Sequence, residues 1–580
     1  MKLAHAARRS APHRRRAIPV VRLSLAALLA VACSRPPAVE EPAHPAGEES
    51  RRIIAQARAL IGEKNFAGAT GMLEELTGRE PSNARAWAVL GEAWHAAGEY
   101  ERAIPALEKA AEFEETAPTA LYNAACSYAR IGRSDDAFAL LMKVRATNRF
   151  DLTQVTLDPD LESIKDDPRI AGLLPGREEF ARPFVEPARI LQEWRGEKAG
   201  GAFGWIARNI GDVDGDGVAD VTTSAPNLHV AGGFAGKVYV YSSRTGRELW
   251  SRAGEPGDRL GLGIEAAGDT NADGIPDVVA GAPGGGKVYV YSGRDGAVLL
   301  QLEAQQEGEL FGRKVSDVGD VDRDGHADVL VGAPGNDAAG EDAGHAAVHS
   351  GRDGSVLLEL LGERAGDQYG SAAAGRADEG RITLVVGAPG AGEGRRGRAY
   401  VYDRLAAEPR FVIDPDELGS NLGGMFVSVV GDVDADGISD IYASDWSHEA
   451  KGPATGRIYV HSGSDGRRLL TLTGEAEGDG FGIGPADAGD VDRDGHADLI
   501  IGAWQHAGAA PAGGKVYLHS GRDGSLLRAW TGRVMGETFG FDATGVGDVD
   551  GDGGIDLLLT SGWSAVNGPR SGRMFIVSGR

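Results

Sequence analysis

The chain has 580 residues, a formal charge of -25, 87 glycines and only 6% aromatic residues. That length exceeds one ordinary core, the acidity excludes a nucleic-acid binder held by phosphate contacts, and the glycines point to many tight turns between short β-strands. Cys33 and Cys126 are the only cysteines, so a disulfide framework is excluded as well.

The N-terminus reads as an export signal. Residues 1–32 carry seven Lys and Arg and no acid, and the apolar run of ten from Leu23 to Ala32 is too short to span a bilayer but suits a signal-peptide core. Ala30-Val31-Ala32-Cys33 resembles a bacterial lipoprotein box, which implies lipidation of Cys33 and anchoring in the cell envelope on its periplasmic or surface side. Ala-x-Ala is equally an ordinary cleavage site, which would leave a secreted protein. Residues 1–33 are therefore set down as signal and 34–50, rich in Pro, Glu and Ala, as a disordered tether.

Over 51–175 the composition turns to Ala, Leu, Glu and Arg with a period of 34. Ala69, Ala103 and Ala137 share a position, as do Leu73, Leu107 and Leu141. Trp87-x-x-Leu90-Gly91-x-x-Trp94, with Tyr100, Ala103, Leu107 and Ala110, resembles the tetratricopeptide repeat, an all-α array of helix pairs. The segment from Asp158 to Arg169 is expected to cap the stack. Such an array is either a concave surface for a partner or a spacer. Cys126 is expected to be buried and inert. Residues 176–187 read as a linker.

Residues 188–580 are dominated by one loop. Asp212, Asp214, Asp216 and Asp220 stand at positions 1, 3, 5 and 9 around Gly217 at position 6, so short oxygen-bearing side chains converge on one point and the glycine allows the bend. The string returns as Asp269-Asn271-Asp273-Asp277, Asp320-Asp322-Asp324-Asp328, Asp432-Asp434-Asp436-Asp440, Asp490-Asp492-Asp494-Asp498 and Asp548-Asp550-Asp552-Asp556. An all-oxygen set of this kind suits Ca²⁺, at about six sites. The gap between Asp320 and Asp432 hides one more unit with its loop placed at Gly375 to Thr383, where Gly375, Ala377 and Thr383 have replaced Asp and Glu379 alone stays acidic.

Seven units of about 56 residues result. Each has an aromatic-glycine step such as Phe203-Gly204 or Phe539-Gly540, the acidic loop, a short strand ending in Ala-Pro or Trp, and an alternating strand such as Lys287-Val-Tyr-Val-Tyr291 running into Ser-Gly-Arg-Asp-Gly. Four short strands per unit describe a propeller blade. The last unit stops at Met574–Val577 without a return strand, and Ile190–Trp194 looks like a return strand with nothing before it. The first strand is expected to complete the last blade and abolish the free edges.

These motifs resemble the FG-GAP repeat of the seven-bladed β-propeller in integrin α subunits. The resemblance implies calcium in loops on one face of the disc, with the backbone carbonyl of position 7 (Val218, Ile275, His326, Ile438, His496 or Gly554) as a further ligand. His326 and His496 are expected to be solvent-facing bystanders, since imidazole suits softer ions. Integrin α propellers usually use only some repeats for calcium, whereas six qualify here, which suggests structural dependence on the metal.

No nucleophile elbow, His-Glu-x-x-His, phosphate loop or dinucleotide fingerprint is present, and the carboxylates are accounted for by the loops. His349, His461 and His519 fall at equivalent strand ends, and Trp446, Trp504 and Trp563 are expected to pack beside the channel. The expectation is a multidomain, non-enzymatic, exported calcium-binding scaffold for a protein or glycan, with no nucleic-acid partner and membrane contact only through an N-terminal lipid. The alternative is an extracellular propeller hydrolase or lyase acting on a polymer.

Overall fold

The computed structural model describes residues 45–230, 232–378 and 381–580. The signal, Cys33, the tether up to residue 44 and Glu379 lie outside the described residues.

Among the described residues six helices come first: α1 Pro45–Gly62, α2 Phe66–Arg79, α3 Ala84–Ala96, α4 Tyr100–Ala110, α5 Ala117–Arg130 and α6 Ser134–Thr147. The helix at 45–62 takes in the last six residues set down as tether. The 34-residue period is spatial: Ala69, Ala103, Ala137, Leu73, Leu107 and Leu141 are all fully buried where paired helices cross. A Cβ at Gly91 would sit 2.4 Å from Leu107 Cγ, so only glycine lets α3 and α4 approach this closely. Gly98 and Gly132, at φ +79° and +78°, end α3 and α5 in the left-handed turn that side chains resist. Two 3₁₀ turns, Pro159–Leu161 and Pro168–Gly172, begin on Asp158 and Asp167, whose carboxylates accept backbone N–H groups two residues on. Leu161, Ile164, Ile170 and Leu173 close the hydrophobic core below α5 and α6. Cys126 is buried in that core, and burial together with Asp158 pushes its thiol well up.

Seven four-stranded antiparallel sheets follow, the innermost strand of each lying against those of its two neighbours around a closed ring. The described strand Ile190–Arg195 pairs with Arg573–Val577 as the outermost strand of the seventh sheet, with Trp194 opposite Met574. The disc is thus closed by its first strand, as the ends of the repeat pattern demand. The packing between blades explains the glycines of both motifs. A Cβ on Gly281 would lie 1.8 Å from the Gly312 carbonyl oxygen of the next blade, and Gly332 with Gly370, Gly387 with Gly423 and Gly502 with Gly540 repeat this contact at 1.9–2.2 Å. The glycine of Gly-Ala-Pro, or of Gly502-Ala503-Trp504, and the glycine that opens the next blade after an aromatic residue or Leu422 are one interlocking pair. Alanine at Gly281 is expected to cost about 1–3 kcal/mol by overpacking; urea unfolding checks it, and an unchanged midpoint would mean that the blades have slack.

The fourth blade departs from the sequence reading. Its first two strands, Ala372–Asp378 and Arg381–Ala388, stay in register from Ala372 opposite Gly387 to Asp378 opposite Arg381. Gly375, Ala377 and Thr383 are thus ladder residues, not loop residues. Without carboxylates to be gathered, nothing favours a ten-residue excursion over a hairpin.

Residues 176–187 are packed along the seam between the sixth and seventh blades. Val185 N–H donates to Thr531 O and Arg533 N–H to Pro183 O, both at 2.9 Å, while Phe184 lies against Phe539 and Phe575. Met535 of the propeller enters the helical core, where its sulfur accepts the Leu152 N–H at 3.3 Å. Arg573 ties the parts together. It is fully buried, pairs with the equally buried Glu537, approaches Glu193 of the closing strand at 3.3 Å and donates to the Phe180 carbonyl at 3.1 Å.

Candidate metal sites

Each acidic loop connects the first and second strands of its blade, and the six share one backbone path. Position 6 is glycine with φ between +79° and +91°. Position 4 is also left-handed, filled by glycine in the first and last loops and by Ala272, Arg323, Ala435 or Arg493 in the others. Side chains resist that conformation, so its recurrence in four non-glycine residues shows a fold imposed by the surrounding hydrogen bonds.

Those bonds come from the carboxylates. At position 1, Asp212 Oδ2 accepts the Gly217 N–H at 2.8 Å and Oδ1 accepts the Asp216 N–H at 3.1 Å, and the same pair of contacts recurs at Asp269, Asp320, Asp432 and Asp490. Asp548 takes Gly553 in the same way but Gly551 in place of the position-5 amide. At position 5, Asp216, Asp273, Asp324, Asp436, Asp494 and Asp552 each accept the N–H of position 7 through Oδ1.

The position-9 residues Asp220, Asp277, Asp328, Asp440, Asp498 and Asp556 are fully buried. Each accepts the position-2 N–H through Oδ2 and, through Oδ1, the N–H two residues past the blade's third strand, as Gly463 gives to Asp440 at 2.9 Å; in five blades that donor lies in the hairpin between the outer strands, and in the seventh it is Gly579. Sequence reasoning made these residues ligands only. In the structure they tie each loop to the backbone that follows the third strand of its blade. Burial pushes these acids upward, Asp220 and Asp328 to about 6 and Asp440 to about 7, with the neighbouring loop carboxylates raising them further.

Ligand-capable oxygens converge. One oxygen from each member falls within 4.8 Å of the others in Asp212–Asp214–Asp216, Asp320–Asp322–Asp328, Asp432–Asp434–Asp440, Asp490–Asp492–Asp498 and Asp548–Asp550–Asp556. Positions 1, 3 and 9 are thus gathered in four loops and 1, 3 and 5 in the first. Position 5 stands outside the tight group in the third, fifth, sixth and seventh blades. Asn271 leaves the second loop with one carboxylate fewer. Oδ1 of Asp434 is buried with no hydrogen-bond partner. A buried anionic oxygen without a donor is costly, and a hard cation among these oxygens would offset that cost. The donor set fits Ca²⁺.

Two expectations on histidine are corrected. His326 and His496 are half-buried, and their Nδ1 atoms bond the carbonyls of Thr270 and Val433 at 2.7 Å. Those carbonyls belong to position 2 of the preceding blade's loop, so both histidines stitch neighbouring loops together rather than facing solvent idly. The alternation that placed them beside the ligands gave no sign of a contact across blades. By contrast, His349, His461 and His519 make one repeated bond, Nδ1 to the carbonyl five residues on. Trp504 and Trp563 are buried edge to face, 5.1 Å apart, whereas Trp446 is half-buried.

One recurring group was missed altogether. Two residues before the aromatic-glycine step, or before Leu260-Gly261 in the second blade, stand Asp258, Glu309, Asp367, Asp479 and Glu537, at most 5% exposed. The first four accept backbone N–H groups of the loop that enters the blade. Their two-residue offset from the aromatic was visible in the sequence, but the mix of Asp and Glu hid it.

Comparison with known proteins agrees with this architecture. Family models described as FG-GAP repeat match residues 203–241 and 315–349, and one described as FG-GAP-like repeat matches 269–331. Similar proteins include integrin alpha-4 of Xenopus laevis, 29% identical over 190 residues, covering 30% of this chain and 18% of the relative. Integrin alpha-5 of the same species is 31% identical over 144 residues, covering 22% and 14%. Integrin alpha-7 of Mus musculus is 34% identical over 158 residues, covering 25% and 13%. The chain spans less than a fifth of the length of these relatives.

Proposed function

We propose that this seven-bladed FG-GAP propeller is a calcium-stabilised, non-enzymatic scaffold of the adhesion type, displaying its loops to a protein or glycan. The observation that carries the calcium reading is a loop built six times, in five of which three carboxylates crowd around one point, the buried position-9 acid among them in four. The integrin α resemblance supports an adhesion role, and the helical array, whose 34-residue period suggests tetratricopeptide pairs, supplies a second surface. Among the described residues no helix is long and apolar enough to cross a membrane. Export, with Cys33 as lipid attachment, is proposed from the sequence, and mass spectrometry of the mature N-terminus tests it.

Asp212, Asp320, Asp432, Asp490 and Asp548, with their partners at positions 3, 5 and 9, would hold the ions, as would Asp269, Asn271, Asp273 and Asp277. When bound, calcium supplies charge compensation and cross-linking rather than chemistry. Calorimetric titration is expected to give six sites for the wild type and five for Asp490→Ala/Asp492→Ala, with dissociation constants of about 10⁻⁴–10⁻³ M. Absence of calcium uptake would sink this reading.

A further inference from the structure

We propose that arginines placed beside the loops set their calcium affinity by competing for the carboxylate oxygens, a refinement that rests on the calcium reading above. In the first, second, third and sixth blades the arginine of the outer hairpin, Arg244, Arg294, Arg352 or Arg522, reaches Oδ2 of the position-5 carboxylate at 3.1, 3.5, 3.8 or 4.0 Å. The fifth blade has serine at that place in the turn, yet Arg467 from the turn's other end reaches Asp434 Oδ2 at 2.7 Å. In the seventh, Arg189, just ahead of the closing strand, reaches Asp550 at 2.7 Å, and Arg580 reaches Asp552 at 3.4 Å. Three different places in the sequence deliver a guanidinium to every acidic loop. Convergence of this kind points to the charge itself as the thing required.

These arginines contribute little to folding, because their side chains are 51–66% exposed and such pairs are weak in water. Their effect falls on a third charge. Asp216, Asp273, Asp324 and Asp494 already give Oδ1 to the position-7 amide, so with Oδ2 facing arginine both oxygens are engaged. A divalent cation drawn to the same carboxylate would share it with the guanidinium, which puts the two positive charges roughly 6 Å apart. Coulomb repulsion at that distance in water corresponds to about a tenfold loss of affinity, and to about threefold once salt screens it. The arginines thereby hold the loops in a weak-binding range, so that they fill where calcium is abundant and empty where it is scarce.

The test is a calcium titration of the full chain, wild type against a variant with glutamine at Arg244, Arg294, Arg352, Arg467 and Arg522, each of which keeps a donor and loses the charge. The proposal expects unchanged stoichiometry, about threefold to tenfold tighter binding at low salt and a smaller gain at high salt. The calcium concentration at the midpoint of thermal stabilisation should fall by the same factor. Equal affinity overturns it, and weaker binding overturns it in favour of arginines that orient the carboxylates. Wild-type protein that takes up no calcium overturns this and the calcium reading together, which separates the two failures. Should the fivefold variant fold poorly by circular dichroism, Arg467→Gln alone carries the comparison.

Discussion

Alanine at Arg573 is expected to destabilise the protein by about 3–5 kcal/mol, because it strips the partner from a buried carboxylate. Glu537 is fully enclosed, and its second oxygen already lacks a hydrogen-bond partner. Without the guanidinium it becomes an isolated buried charge. The same side chain holds Glu193 of the closing strand and the Phe180 carbonyl, so the loss loosens the ring's last joint and the attachment of the helices together. Urea unfolding of Arg573→Ala, Arg573→Met and Arg573→Met/Glu537→Gln measures this. The double variant should recover part of the loss, since neutralising Glu537 removes the charge that arginine left behind. An Arg573→Ala midpoint equal to wild type would show that the closing strand is held by its ladder alone.

Chelation should act more strongly still. A tenfold excess of calcium over its dissociation constant stabilises by roughly 1.4 kcal/mol per site, and six independent sites give on the order of 8 kcal/mol. For a propeller of roughly 400 residues, with an unfolding entropy near 0.8 kcal/mol per degree, that corresponds to a melting temperature about 10 °C lower in chelator. The loss should concentrate on the loops, because the position-9 acids connect each loop to the backbone just past its blade's third strand. Amide exchange at Val213, Thr270, Val321, Val433, Val491 and Val549, whose N–H groups those acids accept, should quicken first. Melting that ignores both chelator and added calcium would leave the loops as acidic turns without metal.

The parts of this molecule that were legible in its sequence are those that repeat at fixed spacing. The blade count, the recurrence of the acidic loops and the return of Ile190–Arg195 to the final blade all follow from aligning one unit on the next. What stayed hidden depends on neighbours that spacing does not connect. The arginine of the outer hairpin reads as a turn residue until the fold brings it over a carboxylate 28 residues earlier, as with Arg244 of Ser-Ser-Arg-Thr-Gly and Asp216. His326 reaches a carbonyl 56 residues back, and Arg573 meets Glu193 across 380 residues. The fourth blade misled for the opposite reason. Its loop was located by counting from flanking motifs, whereas the chain had shortened the excursion and extended the ladder.

The pairing of residues 190–195 with 573–577 also governs how the molecule is born. The first of these strands must wait, solvated, while nearly the whole disc is assembled, and joining ends so distant costs roughly 5 kcal/mol of chain entropy before any contact repays it. Throughout that interval Arg573–Val577 is a raw border, open to any chain with the right pattern. The matching strand of a second molecule has that pattern by definition, so refolding at high concentration is expected to trade closure within a molecule for exchange between molecules, which size-exclusion chromatography across a dilution series checks.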